Sequence, residues 1–334
     1  LTRAPAAMVA LVTTARTVKF GLIAVGGIIL LWAGGTIIAP PVQDLDWRPI
    51  VRLIQPSAPQ HQKWDRDFIP MFFNRQVEFT AQLPKPDLIV WPETAVPNLL
   101  DNAGPALEVI ADAAAGTPVV LGIQREEQGR YYNSLVTLDG TGQVAELYDK
   151  HHLVPFGEYM PAAALFARFN ILGLATRAEA GYSAGPGPAL IDLGSLGTAL
   201  PLICYEAVFP QDVNGAPTRP DMLLQITNDA WFGINAGPQQ HLVQARLRAI
   251  EQGLPMIRVA NTGISAMIDP AGRTVGAIPL GRAGFLDVPL PSKRAPTLYS
   301  RTGDWLALTA LIVAFATLLL WKRRNPIDPA EPDA

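Results

Sequence analysis

Three residues of this chain have the types and settings that acyl chemistry uses: Glu93, Lys150 and Cys204. Each follows a run that reads as a strand. Glu93 comes after Leu88-Ile-Val-Trp91, Lys150 after Val144–Tyr148, and Cys204 after Leu200–Ile203. Cys204 is also the single cysteine of the chain. A thiol attacks as the thiolate, so a base must take its proton. A glutamate in an apolar pocket has its pKa raised towards neutral and serves as that base. A lysine cation beside both favours the thiolate and stabilises the oxyanion of a tetrahedral intermediate, helped by a backbone N–H just after the nucleophile. Each residue alone also has a plainer use. Cys204 would be a small hydrophobe in a core, Glu93 a helix cap, and Lys150 a surface charge in a turn. Their shared placement at strand ends favours the chemical reading.

The elements that must position them alternate. Val51–Ile54, Asp87–Trp91, Pro118–Gly122, Leu200–Ile203, Asp221–Thr227, Met256–Ala260 and Ile264–Ile268 read as strands. Helices are expected over Lys63 to about Gln82, Leu99–Ala115 and Pro238–Gln252, the last with Pro near its start and Gly253 at its end. Tyr131–Leu138 and Gln143–Tyr148 read as a hairpin joined by Asp139-Gly-Thr-Gly142. Residues 159–188 are irregular, with apolar residues from Leu165 to Leu174. The class is α/β with a mixed sheet.

The chain is 49% hydrophobic and only 16% charged, more apolar than an ordinary soluble protein. The excess sits in two uncharged runs, Phe20–Ile38 and Trp305–Trp321. As helices these would span roughly 28 and 25 Å, close to the hydrocarbon thickness of a bilayer. Arg3, Arg16 and Lys19 precede the first run, and Lys322, Arg323 and Arg324 follow the second. Both ends are therefore expected on the cytoplasmic side. The division expected is a cytoplasmic segment 1–19, a span 20–38, a linker 39–49, a catalytic domain 50–304 across the membrane, a span 305–321 and a cytoplasmic tail 322–334. The start at Leu1 suggests the C-terminal part of a longer membrane protein. In a bacterium the far side is the oxidising periplasm, where a lone thiol has more reason to be chemical than structural. The net charge of −3 gives no hint of nucleic acid.

Three segments resemble the Glu-Lys-Cys motifs of the nitrilase superfamily: Trp91-Pro-Glu-Thr-Ala95, Tyr148-Asp-Lys-His-His-Leu-Val-Pro-Phe-Gly-Glu-Tyr-Met-Pro161 and Ile203-Cys-Tyr-Glu206. The second motif, the Cys-Tyr-Glu triplet and the two flanking spans are similar to the apolipoprotein N-acyltransferases in particular. The resemblance runs from about Val51 to Asp304. It implies an αββα four-layer sandwich between transmembrane helices, with further helices upstream. It also implies a multi-pass protein of the bacterial inner membrane, with its catalytic domain on the periplasmic side. The implied reaction is a ping-pong transfer, the last step of lipoprotein maturation. Cys204 takes a fatty acyl chain from a phospholipid as a thioester, and the α-amine of a diacylglyceryl-modified apolipoprotein's terminal cysteine then receives it. In this reading Glu93 is the base, and Lys150 with the Tyr205 N–H holds the oxyanion. Glu158 matches a second essential acid that orients Lys150 or the amine. Tyr205 and Glu206 match positions beside the nucleophile, with packing and turn hydrogen bonds as their plainer role. Trp64 matches an aromatic at the lipid entrance, or is a core tryptophan.

Apolar residues 165–174 and Trp231-Phe232 are candidate lids that dip into the bilayer surface, or else ordinary core. Asn228-Asp-Ala-Trp231 either shapes the pocket or closes a turn. His151 and His152 are adjacent, so on an extended segment they point opposite ways and are poorly placed to share a metal; His61 and His241 stand apart. No metal and no cofactor are expected, and the chain is expected to be a monomer. Two other readings stay open: a membrane-anchored amidase or nitrilase that hydrolyses a small C–N bond, and a catalytically dead interaction module.

Overall fold

The computed structural model describes residues 15–38, 41–161 and 181–324. The expected apolar lid at 165–174 and the tail from 325 onwards lie outside the described residues. The chain divides into two compact units, Leu1–Asp44 and Leu45–Ala334. In the first, helix α1 covers Ala15–Ile38.

The second unit holds two six-stranded sheets. Strands β1 (Ile50–Gln55), β2 (Leu88–Val90), β3 (Val119–Glu127), β4 (Arg130–Leu138), β5 (Val144–Asp149) and β12 (Gly284–Pro289) form one, ordered β12-β1-β2-β3-β4-β5. Strands β6 (Ile191–Asp192), β7 (Thr198–Ile203), β8 (Met222–Thr227), β9 (Met256–Ala260), β10 (Ser265–Ile268) and β11 (Thr274–Ile278) form the other, ordered β11-β10-β9-β8-β7-β6. Each sheet has three parallel strands, β1-β2-β3 and β7-β8-β9, flanked by antiparallel ones. The reactive residues leave the C-terminal ends of parallel strands β2 and β7 and of antiparallel β5.

Side chains alternate across each strand, and this builds four layers. Leu53, Val90 and Val120 of the first sheet pack with Ile203, Leu224 and Val259 of the second between the sheets. Their sequence neighbours Ile54, Ile89 and Leu121 face outwards against Leu107 and Ile110 of helix α3 (Gly104–Ala114) and Phe73 and Val77 of helix α2 (Ile69–Ala81). Leu200, Leu223 and Met256 face Ala245 and Ala249 of helix α5 (Ala236–Gln252) on the other side. A short helix α4 (Pro210–Asn214) packs there through Val213. The order helix, sheet, sheet, helix is the expected sandwich.

Several expected boundaries move. Helix α2 begins at Ile69, not near Lys63, with Pro70 in its first turn. Residues 60–64 form turns instead, which frees Lys63 to point into the site. Strand β3 runs on through the polar residues to Glu127 and pairs with β4 along its whole length. Strands β6, β11 and β12 carry no strong apolar signal and were not expected. β12, the last strand in the chain, nevertheless closes the first sheet against β1.

After helix α6 (Leu298–Thr302), α7 covers Trp305–Arg324. Among the described residues α7 is the one helix long and apolar enough to cross a membrane, and none of its residues is buried. The first expected span contributes a shorter apolar stretch, Phe20–Gly35, within α1.

Candidate functional site

Glu93 is delivered by a tight turn after β2. Trp91 continues the sheet through its N–H to the Val120 carbonyl, and its indole donates to the Thr80 hydroxyl at 2.9 Å. The chain then folds over Gly122, whose N–H donates to the Pro92 carbonyl and whose carbonyl accepts from the Ala95 N–H. A Cβ on Gly122 would lie 2.5 Å from the Thr94 nitrogen and 2.7 Å from the Glu93 Cα. Glycine is therefore what allows the turn to sit so close. Thr94 itself has φ +45°, a left-handed value unusual for a β-branched residue.

The Glu93 carboxylate is buried and fully used. Oε1 accepts from Asn133 Nδ2 at 2.7 Å, and Oε2 accepts from the Asn228 backbone N–H at 2.7 Å. Lys150 Nζ stands 3.8 Å from Oε1. Burial raises the pKa of Glu93, more than Lys150, the Asn133 hydrogen bond and Lys63 lower it, and the charge of Glu158 pushes the same way as burial. Glu93 is a buried acid with a weakened hold on its charge, not the helix cap its position after proline would allow.

Lys150 is only 1% exposed, so it is no surface charge. It follows β5 directly, and its N–H donates to the Asn133 carbonyl. Its ammonium donates to Glu158 Oε1 at 2.8 Å. Burial acts against its charge, but Glu93, Cys204 and Glu158 together outweigh that and hold its pKa above the ordinary lysine value. Glu158 is fixed in turn by the Val154 N–H on Oε2 and by Asn133 Nδ2, 3.2 Å from Oε1. Asn133 thus bridges the two carboxylates, a role that nothing in the sequence marked.

Cys204 follows β7 at the first residue of a 3₁₀ turn, Cys204–Val208, with φ +53°. A non-glycine residue held left-handed at a strand-to-helix corner needs support from its surroundings. Its carbonyl receives Gln225 Nε2 at 3.0 Å, and His241 Nε2 lies 3.1 Å away. Behind it, Arg258 donates to Gln225 Oε1 and to Asp229, and His241 Nδ1 lies 2.8 Å from Asp229 Oδ1. Burial lowers the His241 pKa. Burial pushes the Cys204 thiol up to about 12; the negative charge of Glu93 adds to that, while Lys150 and a hydrogen bond from Thr227 oppose it. At rest the sulfur is a thiol within reach of the Glu93 and Lys150 charges.

Glu206 is fully buried and ties the Cys204 turn to the Lys150 loop. Its Oε2 accepts from the Ile203 N–H, and its Oε1 accepts from the Tyr148 hydroxyl and from the N–H groups of His151 and His152. Tyr205 is half-buried, its ring 4.8 Å from that of Phe209 and 5.5 Å from that of His152. His151 and His152 do not point apart as an extended segment would require. They bend to a common acid, with His152 Nδ1 2.7 Å and His151 Nε2 3.7 Å from Asp212.

Trp64 is 42% exposed and lines a small open pocket with Glu93, Thr94, Phe72 and Lys63. Trp231 is 67% exposed, and Phe232 and Ile234 are exposed beside it. Neither tryptophan is core. Asn228, just before that apolar turn, gives its N–H to Glu93 and its side-chain amide to Gln60, so the segment shapes the site as well as turning the chain. Two further residues escaped the sequence reading. Lys63 is buried against the Glu93 turn, and Tyr182, bonded to Gln124, feels the charges of Glu158, Glu93 and Lys150.

Known proteins match this architecture. Residues 63–296 fit the carbon-nitrogen hydrolase family. The chain is 40% identical over 303 residues to an apolipoprotein N-acyltransferase of Brucella melitensis, covering 86% of this chain and 57% of that protein. It is 41% identical over 290 residues to one of Bradyrhizobium diazoefficiens, covering 82% of this chain and 53% of that protein. The chain thus spans a little over half the length of these relatives. Among solved structures, a variant of an amidase from Nesterenkonia, with a covalent adduct at its active-site cysteine, superposes with a TM-score of 0.54 at 18% identity, over 75% of this chain and 94% of its own. A carbon-nitrogen hydrolase from Helicobacter pylori does so with a TM-score of 0.54 at 15% identity, over 74% and 90%. Two stacked sheets, helices on both outer faces and a match over most of the chain lead to one assignment: the chain belongs to the carbon-nitrogen hydrolase (nitrilase) family.

Proposed function

We propose that the protein transfers a fatty acyl chain from a phospholipid to the terminal α-amine of a diacylglyceryl-apolipoprotein, by way of a thioester on Cys204. The observation that carries this reading is the buried meeting of Glu93, Lys150 and Cys204 beside exposed apolar residues, in a chain about 40% identical to proteins named apolipoprotein N-acyltransferase.

The steps follow from the chemistry of these groups. Glu93 takes the Cys204 proton, and the thiolate attacks the ester carbonyl of the phospholipid. The Lys150 ammonium, together with the backbone N–H of Tyr205, faces the oxyanion that forms. Collapse breaks the ester C–O bond, and the proton on Glu93 leaves with the lysophospholipid. The neutral α-amine of the acceptor then attacks the thioester and gives a proton to Glu93. The C–S bond breaks, and the thiolate recovers that proton. Glu158 holds Lys150 in place through both half-reactions, and Glu206 keeps the Lys150 loop against the Cys204 turn. Trp64, Trp231 and the apolar residues near Trp231 line the approach for the lipid chains. The spans at both ends hold the domain at the periplasmic face of the inner membrane.

Acceptor choice tests the reading. With phospholipid vesicles and an amine-terminated diacylglyceryl lipopeptide, N-acylated lipopeptide should accumulate with little free fatty acid. Free fatty acid formed at the same rate with or without the lipopeptide would mark a hydrolase instead.

A further inference from the structure

Two lysines are buried at this site, and the proposed reaction uses only one. Lys63 precedes helix α2 and reaches in towards the Glu93 turn. Its ammonium donates to the Glu93 carbonyl at 3.0 Å and to the Thr94 hydroxyl at 2.6 Å. Those are the two residues of the strained turn, since Thr94 carries φ +45°. The indole of Trp64 lies 5.3 Å from the same nitrogen. Burial lowers the pKa of Lys63 to about 8, and the charges of Glu93 and Cys204 work against that fall. An ammonium so poorly solvated is costly unless it does something for its neighbours.

We propose that Lys63 is a positioning residue for the reaction: it pins the Glu93–Thr94 turn and places a second positive charge against the thiol and carboxylate between which the proton moves. The inference rests on the acyl-transfer reading for the step it assists. The charged and titratable groups around the pair are Lys63 before α2, Glu93 after β2, Lys150 just after β5, Glu158 and Tyr182 between β5 and β6, and Asp229 after β8. Two carboxylates near the sulfur resist a third negative charge. Lys150 offsets part of the charge on Glu93 and sulfur while bonded to Glu158, and Lys63 adds a second cation on the Glu93 side. Without it both groups hold their protons more tightly, and the thiolate forms less readily.

Cys204 is the single cysteine, so iodoacetamide reports its ionisation with no lipid present. In the full chain at pH 7, where Lys63 carries its charge, alkylation should be roughly tenfold slower in Lys63→Met. Acylation of Cys204 from phosphatidylethanolamine vesicles, read by mass spectrometry, should slow at least as much. Lys63→Arg keeps the charge but not the fit to two acceptors. It should keep the alkylation rate at pH 7 and still acylate about tenfold more slowly. A Lys63→Met protein with an unchanged alkylation rate at pH 7 would overturn the inference. If that variant does not fold, Lys63→Arg decides, and wild-type acylation in it would overturn the inference equally. A wild-type chain that gives no acyl adduct, while Lys63→Met still slows alkylation, would sink the acyl-transfer reading and leave the role of Lys63 standing.

Discussion

At the scale of single residues, the chemistry rests on how much charge the site holds without water. Glu93 stays basic because burial opposes its charge, yet Asn133, Asn228, Lys150 and Lys63 keep it usable. Asn133 is the most informative of these, since it serves Glu93 and Glu158 at once. Asn133→Ala removes a hydrogen bond that favours the carboxylate form, so the Glu93 pKa rises further. The acid-side limb of the rate profile should then move to higher pH by about one unit, with kcat/KM falling about tenfold below that limb. A pH–rate series on the variant and the parent checks it; an unmoved limb would show that Asn133 does not act on the base.

At the scale of elements, the two strained corners carry the design. The Glu93 turn needs Gly122 beneath it. Gly122→Ala would force a Cβ into the backbone of residues 92–94. We expect about 1–3 kcal/mol of lost stability and roughly a hundredfold loss of acylation rate from the displaced carboxylate. Denaturant titration and single-turnover acylation measure the two separately. The Lys150 loop is fastened by Glu206 and by His151, whose Nδ1 lies 2.7 Å from Glu206 Oε1. Burial alone would lower the His151 pKa, but Asp212 and Glu206 raise it to about 9. A cation with a raised folded pKa contributes stability that is whole below its unfolded value, near 6.5, and is lost as pH rises through about 9. The difference in thermal midpoint between the parent and His151→Gln should therefore be largest near pH 6 and shrink by about pH 10.

How much of this was legible follows from what carries a pattern. The buried parallel strands β2 and β7 are apolar runs, β8 and β9 are nearly so apart from Gln225 and Arg258, and the ends of the first two named Glu93 and Cys204 from the sequence. Edge strands such as β11 and β12 are half-exposed, and their glycines and polar residues hide them. Lys63 looked helical because polar and apolar residues mix evenly from there to Gln82. Only the fold shows that the helix starts at Ile69 and leaves Lys63 in a turn facing Glu93. Asn133 sits in a strand that reads as ordinary, and its value comes from two carboxylates brought to it from distant segments. The bend that brings His151 and His152 to Asp212 is likewise a product of tertiary contacts with the 3₁₀ turn and helix α4 after β7.

At the scale of the whole molecule, the expected topology ties the domain to a lipid surface through spans whose flanking charges face one side. Alkaline phosphatase fused after Ala334 should be inactive, and fused in place of the chain beyond Ser292 it should be active. Activity of the first fusion would reverse the assigned sides. The central claim is that a phospholipid acyl chain rests on one sulfur between the two half-reactions. Its most direct test is intact-mass and peptide mass spectrometry of the full-length protein after exposure to phospholipid without acceptor. An acyl mass on the peptide bearing Cys204, absent in Cys204→Ala and discharged on adding an amine-terminated lipopeptide, is the expected result. An acyl mass that survives in Cys204→Ala, or one that the lipopeptide does not remove, would contradict it.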